Sequence, residues 1–156
     1  MECNAVCFIG HRRFAGDEAL IERLQCLIEL LIVKEGASTF LFGSKSEFDA
    51  LCLSAVTGLK EKHPHIRRIF VRAEYPVISP EYEAYLLDFY DGTYYPQRLA
   101  GAGKAAYVLR NREMIDRSRY CIFYYNEARL PENRKSGTKL SLDYAKRLGK
   151  EVYVFS

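Results

Sequence analysis

The stretch CNAVCFIGHRRFAGDEALIERLQCLIELLIVKEGASTFLFGSKS, residues 3–46, holds one complete unit of the fold. Cys3 to Gly10 is an apolar run of strand length ending on glycine. Asp17 then precedes Leu20, Leu24, Leu27, Ile28 and Leu31 at helical spacing, and Gly36 ends the stripe. Thr39 to Phe42 is a second apolar run, closing on Gly43. Strands that lose polar alternation are buried on both faces, so this strand–helix–strand order predicts α/β architecture, a mainly parallel sheet with helices on both sides.

The pattern continues outward. Ser46 is placed to cap a helix carrying Phe48, Leu51, Cys52, Ala55 and Leu59 inward, and His63-Pro64 stops it. Ile66 to Val71 reads as a third strand. Ser79-Pro80 opens a helix running to about Tyr90, and Gly92 to Tyr95 is a short strand. Pro96 to Gly103 reads as a mobile loop with an exposed arginine, and Ala105 to Asp116 as a helix with Val108, Leu109 and Ile115 inward. Tyr120 to Tyr125 is a buried strand, followed by a polar loop containing Pro131, Asn133 and Gly137. Thr138 is placed to cap a last helix presenting Leu140, Tyr144 and Leu148, and Val152 to Phe155 is the final strand. No repeat or linker divides residues 1–156, which read as a single domain.

The chain has 156 residues, 49% of them apolar. A domain of this size hides roughly 68–70% of its unfolded surface, so the core needs no disulfide or metal to supplement it. No apolar run approaches the ~20 residues that cross a bilayer, and no secretory leader is visible at the N-terminus, so a cytoplasmic location without membrane contact is expected. The five cysteines at 3, 7, 26, 52 and 121 form no C-x-x-C pair or zinc spacing and read as reduced, mostly buried thiols. His63 and His65 lack further ligands nearby, so no metal site is expected, and no cofactor is identified.

The net charge of +3 is uneven: residues 1–78 balance ten positive against ten negative groups, whereas residues 79–156 carry thirteen against ten. The surplus is mostly arginine, which suits a bounded phosphate or carboxylate pocket. Acidic residues interrupt it, so nucleic acid is not the expected partner.

Ligands of open parallel sheets gather beyond the carboxyl ends of the strands. Three turns there combine small residues with hydroxyls or cations: Gly10-His11-Arg12-Arg13, Gly43-Ser44-Lys45-Ser46 and Ser136-Gly137-Thr138. Glycine admits close approach to the backbone, and a helix N-terminus offers unpaired N–H groups and partial positive charge to a phosphate. An ordinary capped turn remains the alternative for each one. Gly101-Ala102-Gly103-Lys104-Ala105-Ala106 fits G-x-G-x-x-A but lacks a preceding strand, and as a P-loop it carries Arg98 and Ala105 where Gly and Ser or Thr belong.

Phe8-Ile9-Gly10-His11-Arg12, Phe42-Gly43-Ser44 with Phe48-Asp49, Arg110-Asn111-Arg112 with Met114-Ile115-Asp116 and Ser118, and Ser136-Gly137-Thr138 resemble, in order and spacing, the SLOG superfamily. These are the Rossmann-like relatives of DprA/Smf and LOG, and the chain is most similar to a small bacterial branch with a G-H-R signature. The resemblance spans nearly the whole chain. It implies a cytoplasmic pocket for a nucleotide-derived ligand, with Gly10, His11 and Arg12 as one wall, Gly43 and Ser44 as another, and Ser136, Gly137 and Thr138 as the phosphate seat. Arg112 matches an arginine of LOG enzymes. The LOG catalytic glutamate falls on Ser141, which cannot act as a carboxylate.

Catalytic candidates are therefore His11, Glu47, Asp49 and Arg112, with Asp49 equally able to answer the Ser46 cap. Three functions stand: binding or sensing a nucleotide derivative, hydrolysis of its N-glycosidic or phosphate bond as in LOG phosphoribohydrolases, and DprA-like binding of single-stranded DNA. Dense tyrosines mostly serve packing, though Tyr94 or Tyr95 could line a pocket. Ile21, Ile32 and Val33 extend the first helix's apolar stripe, and a homodimer is expected from it.

Overall fold

The computed structural model describes residues 4–129 and 136–156, without the side chain of Arg129. Cys3, Pro131, Asn133 and Arg134 lie outside the described residues.

Six strands form one parallel sheet in the order β4-β3-β2-β1-β5-β6, where β1 is Ala5–Gly10, β2 Thr39–Phe42, β3 Arg67–Val71, β4 Gly92–Tyr94, β5 Tyr120–Tyr124 and β6 Glu151–Phe155. The helices are α1 (Glu18–Glu35), α2 (Glu47–Lys60), α3 (Pro80–Leu87), α4 (Ala106–Arg117) and α5 (Gly137–Arg147). This is the expected α/β, Rossmann-like arrangement. Alternate strand residues divide the core in two. Val6, Phe8, Phe40, Phe42, Ile122 and Tyr124 face Leu24, Ile28, Phe48 and Leu86 from α1, α2 and α3. Cys7, Ile9, Leu41, Cys121 and Phe123 face Met114, Ile115, Leu142 and Ala145 from α4 and α5. The connections run outward from β1 in one direction as far as β4, then resume on its other side at β5. The gap between the carboxyl ends of β1 and β5 is therefore the topological switch point.

Local chemistry sets the element ends as expected. Asp17, Ser46 and Ser79 accept from Leu20, Asp49 and Tyr82 N–H as N-caps, and Gly36 and Gly149 leave α1 and the segment after α5 in the left-handed conformation. Three expectations are corrected. Ser136, not Thr138, caps α5, because the Ser136 hydroxyl reaches Lys139 N–H. The face α5 turns inward is Thr138, Ser141, Leu142 and Ala145, while Leu140 and Leu148 are exposed. Ile32 is in the core, leaving Val33 exposed, so these two residues do not share an uncovered stripe.

The segment read as a mobile loop contains two short 3-10 turns, Gln97–Leu99 and Gly103–Ala105, anchored by buried Leu99 against Ala73 and Ala106. Arg98 is exposed there but paired with Asp116 at 2.7 Å and Glu113 at 3.4 Å. Cys7, Cys52 and Cys121 are buried thiols and Cys26 is exposed. Among the described residues, no helix is long and apolar enough to cross a membrane.

Two glycines make opposite predictions. A Cβ on Gly10 would lie 2.4 Å from the Phe48 ring, whereas one on Gly58, in α2, meets nothing within 4 Å. Gly10→Ala should destabilise by about 1–3 kcal/mol through overpacking. Gly58→Ala should stabilise by about 0.5–1 kcal/mol through helix propensity. Urea midpoints of the two variants, moving in opposite directions, check this.

Candidate functional site

Most of the residues expected at the site meet in one cleft. A cavity of about 300 Å³ beyond the ends of β1 and β2 is lined by Gly10, His11, Arg12, Gly43, Ser44 and Asp49, by Arg110 and Asn111 of α4, and by Ser136, Gly137 and Thr138 at the start of α5. The three glycine-bearing turns converge there because parallel strands deliver every following turn to the same sheet edge.

The turn after β2 is held rigidly. Asp49 is 3% exposed, and its Oδ2 accepts from Ser44 N–H at 3.0 Å and Gly43 N–H at 3.4 Å. Its Oδ1 accepts from the Ser46 hydroxyl at 3.3 Å, while that hydroxyl accepts from Asp49 N–H at 3.0 Å. Asp49 thus answers the cap as expected, but through the turn upstream of Ser46. Burial is the largest influence on its carboxyl and pushes the pKa up to about 6, against the pull of the Ser44 N–H and of Arg110.

Arg110 closes the other side. It is buried, donates from Nη1 to the carbonyl of Gly43 and from Nε to Asn111 Oδ1 at 3.0 Å. The fit needs a glycine, since a Cβ at Gly43 would lie 2.5 Å from Arg110 Cδ and 2.6 Å from Met114 Sδ. Asn111 Nδ2 in turn donates to Ser141 Oγ at 3.1 Å. Ser141 is therefore buried and hydrogen-bonded between α4 and α5.

The candidate acids and bases are engaged elsewhere. His11 Nε2 accepts from Asn126 N–H at 2.9 Å, bridging the ends of β1 and β5, and the ring packs against Tyr124 and Tyr125. Burial is the main influence on the imidazole and lowers its pKa. With Nε2 accepting, the ring is neutral and carries its proton on Nδ1, which makes it a donor. Glu47 Oε1 accepts from Phe14 N–H at 2.8 Å, and Glu47 N–H donates to the Arg12 carbonyl at 2.8 Å, so this residue fastens the loop after β1 and does not line the cleft. Arg112 also lies outside the lining, stacked 4.8 Å over the Tyr144 ring.

Of the second-half arginines with described side chains, Arg110 is the one that reaches the cleft; Arg98, Arg117 and Arg119 pair with acidic residues. The phase of α4 puts Arg110, and not the expected Arg112, at the cleft. Arg110 shares the buried face with Ala106, Glu113 and Met114, whereas Arg112 is turned from it. Reading that periodicity would have found Arg110 and placed Asn111 beside it.

A second cavity of about 660 Å³ adjoins the cleft and shares Gly43, Ser44 and Arg110 with it. Its other walls include Phe70, Tyr75, Ile78, Tyr82 and Tyr107. Tyr95 lines neither cavity and packs on Leu99 and its neighbours, whereas Tyr94 lines a third cavity of about 270 Å³ together with Arg67, Thr93 and Arg117, and donates to Glu113 at 2.9 Å. Among the described residues, no group of three or more His, Cys, Asp and Glu could hold a metal ion. The rings of His63 and His65 lie edge to face at 6.3 Å, with His63 facing Glu29 at 3.7 Å.

No family model matches the chain, and no curated protein matches it in sequence.

The buried carboxyl gives a signed pH dependence. A group whose pKa is raised on folding stabilises the fold below its unfolded value, near 3.8, and loses that contribution as pH climbs through about 6. Asp49→Asn keeps the acceptor for Ser44 N–H and cannot ionise. The unfolding free energy of the parent relative to Asp49→Asn should fall by roughly 2 kcal/mol from about pH 4 to about pH 7. Denaturant titrations across that range measure it, and a flat difference contradicts the assignment.

Proposed function

We propose that the chain binds or senses a nucleotide-derived ligand whose phosphate occupies the cleft beyond the ends of β1 and β2, as a SLOG-type protein of the cytoplasm. The observation that carries the reading is the convergence of Gly10-His11-Arg12, Gly43-Ser44 and Ser136-Gly137-Thr138 on one cavity. Arg12 is exposed at its rim, the His11 Nδ1 proton is a donor, and α5 begins there with Gly137 and Thr138 in its first turn. Such donors favour an anion and position it without chemistry.

Hydrolysis is less well supported. Glu47 is spent on the Phe14 backbone, His11 Nε2 on Asn126, and both Asp49 oxygens on the turn it stabilises. Ser141 offers only a hydroxyl, itself bonded to Asn111. A DNA groove is supported still less, since Arg98, Arg117 and Arg119 are each paired with acidic residues.

Equilibrium binding to a panel of nucleoside mono-, di- and cyclic phosphates tests the proposal. At least one should bind, and Arg12→Ala should weaken it by about tenfold, the size of a lost charge-assisted contact. Uniform absence of binding removes the reading. Release of free base or ribose phosphate, abolished by Asp49→Asn, would replace it with the hydrolase.

A further inference from the structure

The larger cavity adjoins the polar cleft and shares Gly43, Ser44 and Arg110 with it. Its walls come from the segment between β3 and α3, from α3 and from α4, and they are mainly aromatic and aliphatic. Tyr75 and Tyr82 meet edge to face at 6.0 Å, Tyr82 stacks with Tyr85 at 6.2 Å, and the Arg110 guanidinium lies 5.8 Å over the Tyr107 ring. Tyr107 also donates to Glu74 at 2.7 Å, tying α4 to the segment after β3 across this cavity. Lys45 Nζ stands 5.9 Å over the rings of both Tyr82 and Tyr85.

We propose that the site is bipartite: the tyrosine-walled chamber takes the flat aromatic base of a nucleotide whose phosphate sits in the polar cleft, with Arg110 at the seam. The chamber and cleft together present one apolar and one cationic compartment. A purely anionic ligand would leave the tyrosine walls against water, and a purely apolar one would leave exposed Arg12 at the rim of the cleft without a ligand charge to meet. A base satisfies the first compartment through its π-face, since stacking on aromatic side chains tolerates any base, and the phosphate satisfies the second. The volumes, about 660 and 300 Å³, suit a small molecule divided between them.

This inference rests on the reading of the polar cleft as an anion site, and one experiment separates the two. The chain has twelve Tyr and no Trp, so tyrosine emission is directly readable. Titrations compare the adenosine, guanosine, cytidine and uridine 5′-monophosphates with ribose 5-phosphate, which lacks a base. At least one nucleotide should bind about tenfold or more tighter than ribose 5-phosphate. Tyr82→Ala should erase most of that advantage without changing ribose 5-phosphate affinity, and Tyr82→Phe should keep it. Because Tyr82 also packs on the core, Tyr75→Ala, at a position 53% exposed, provides a second variant with the same expected loss. Ribose 5-phosphate binding as tightly as every nucleotide, or a nucleotide advantage untouched by both alanine variants, overturns the bipartite site and leaves the anion cleft standing. Failure of all five probes to bind overturns the bipartite site, and the anion cleft falls with it when the nucleoside di- and cyclic phosphates also fail to bind.

Discussion

Arg110 reaches from α4 on one side of the sheet to the carbonyl of Gly43 at the end of β2, and the geometry of the site hangs on that contact. The guanidinium is buried, so it must be compensated by the groups that surround it. Gly43 supplies a carbonyl and the space for the side chain, Asn111 supplies an amide oxygen, and Asp49 supplies charge. From there the bonding continues in both directions: through Asn111 to Ser141 on α5, and through the Gly43 and Ser44 N–H groups to Asp49 and the Ser46 cap of α2. Three helices and the end of a strand are joined by one polar chain.

That chain explains why the acidic residues of the cleft read poorly as catalysts. A general base needs a free lone pair facing substrate. Asp49 has a raised pKa, a feature often associated with active sites, but its oxygens are fixed by the turn they build. Its perturbation is the cost of holding a phosphate-compatible turn in a buried position. The Ser141 hydroxyl and the Asn111 amide join α5 to α4.

Much was legible beforehand because it depends on short-range pattern. Apolar runs ending at Gly10 and Gly43, the caps at Asp17, Ser46 and Ser79, and the stops at Gly36 and Gly149 gave the element order and the parallel sheet. The site turns followed from a general rule about strand ends. Reading failed where an amphipathic face had a polar interior. In α4 the buried face is Ala106, Arg110, Glu113 and Met114, and in α5 it includes Thr138 and Ser141. Ranking by hydrophobicity selected Val108, Leu109, Leu140 and Leu148, which the structure leaves half-buried or exposed.

Sequence alone therefore determined the strands, the helices, and which turns share an edge, since these follow from periodicity and from the parallel direction that strand–helix–strand units impose. Only the tertiary structure decided which cation enters the cleft, where the tyrosines gather and what each carboxylate does. Tyr107 is distant in the chain from Tyr75 and Tyr82, and joins them only when α4 packs on the opposite face of the sheet from α3. Burial of a charge is a property of the packed surroundings: Arg110 and Arg112 are two residues apart with the same chemistry, and the helix turn between them sends one into the cleft and the other onto Tyr144.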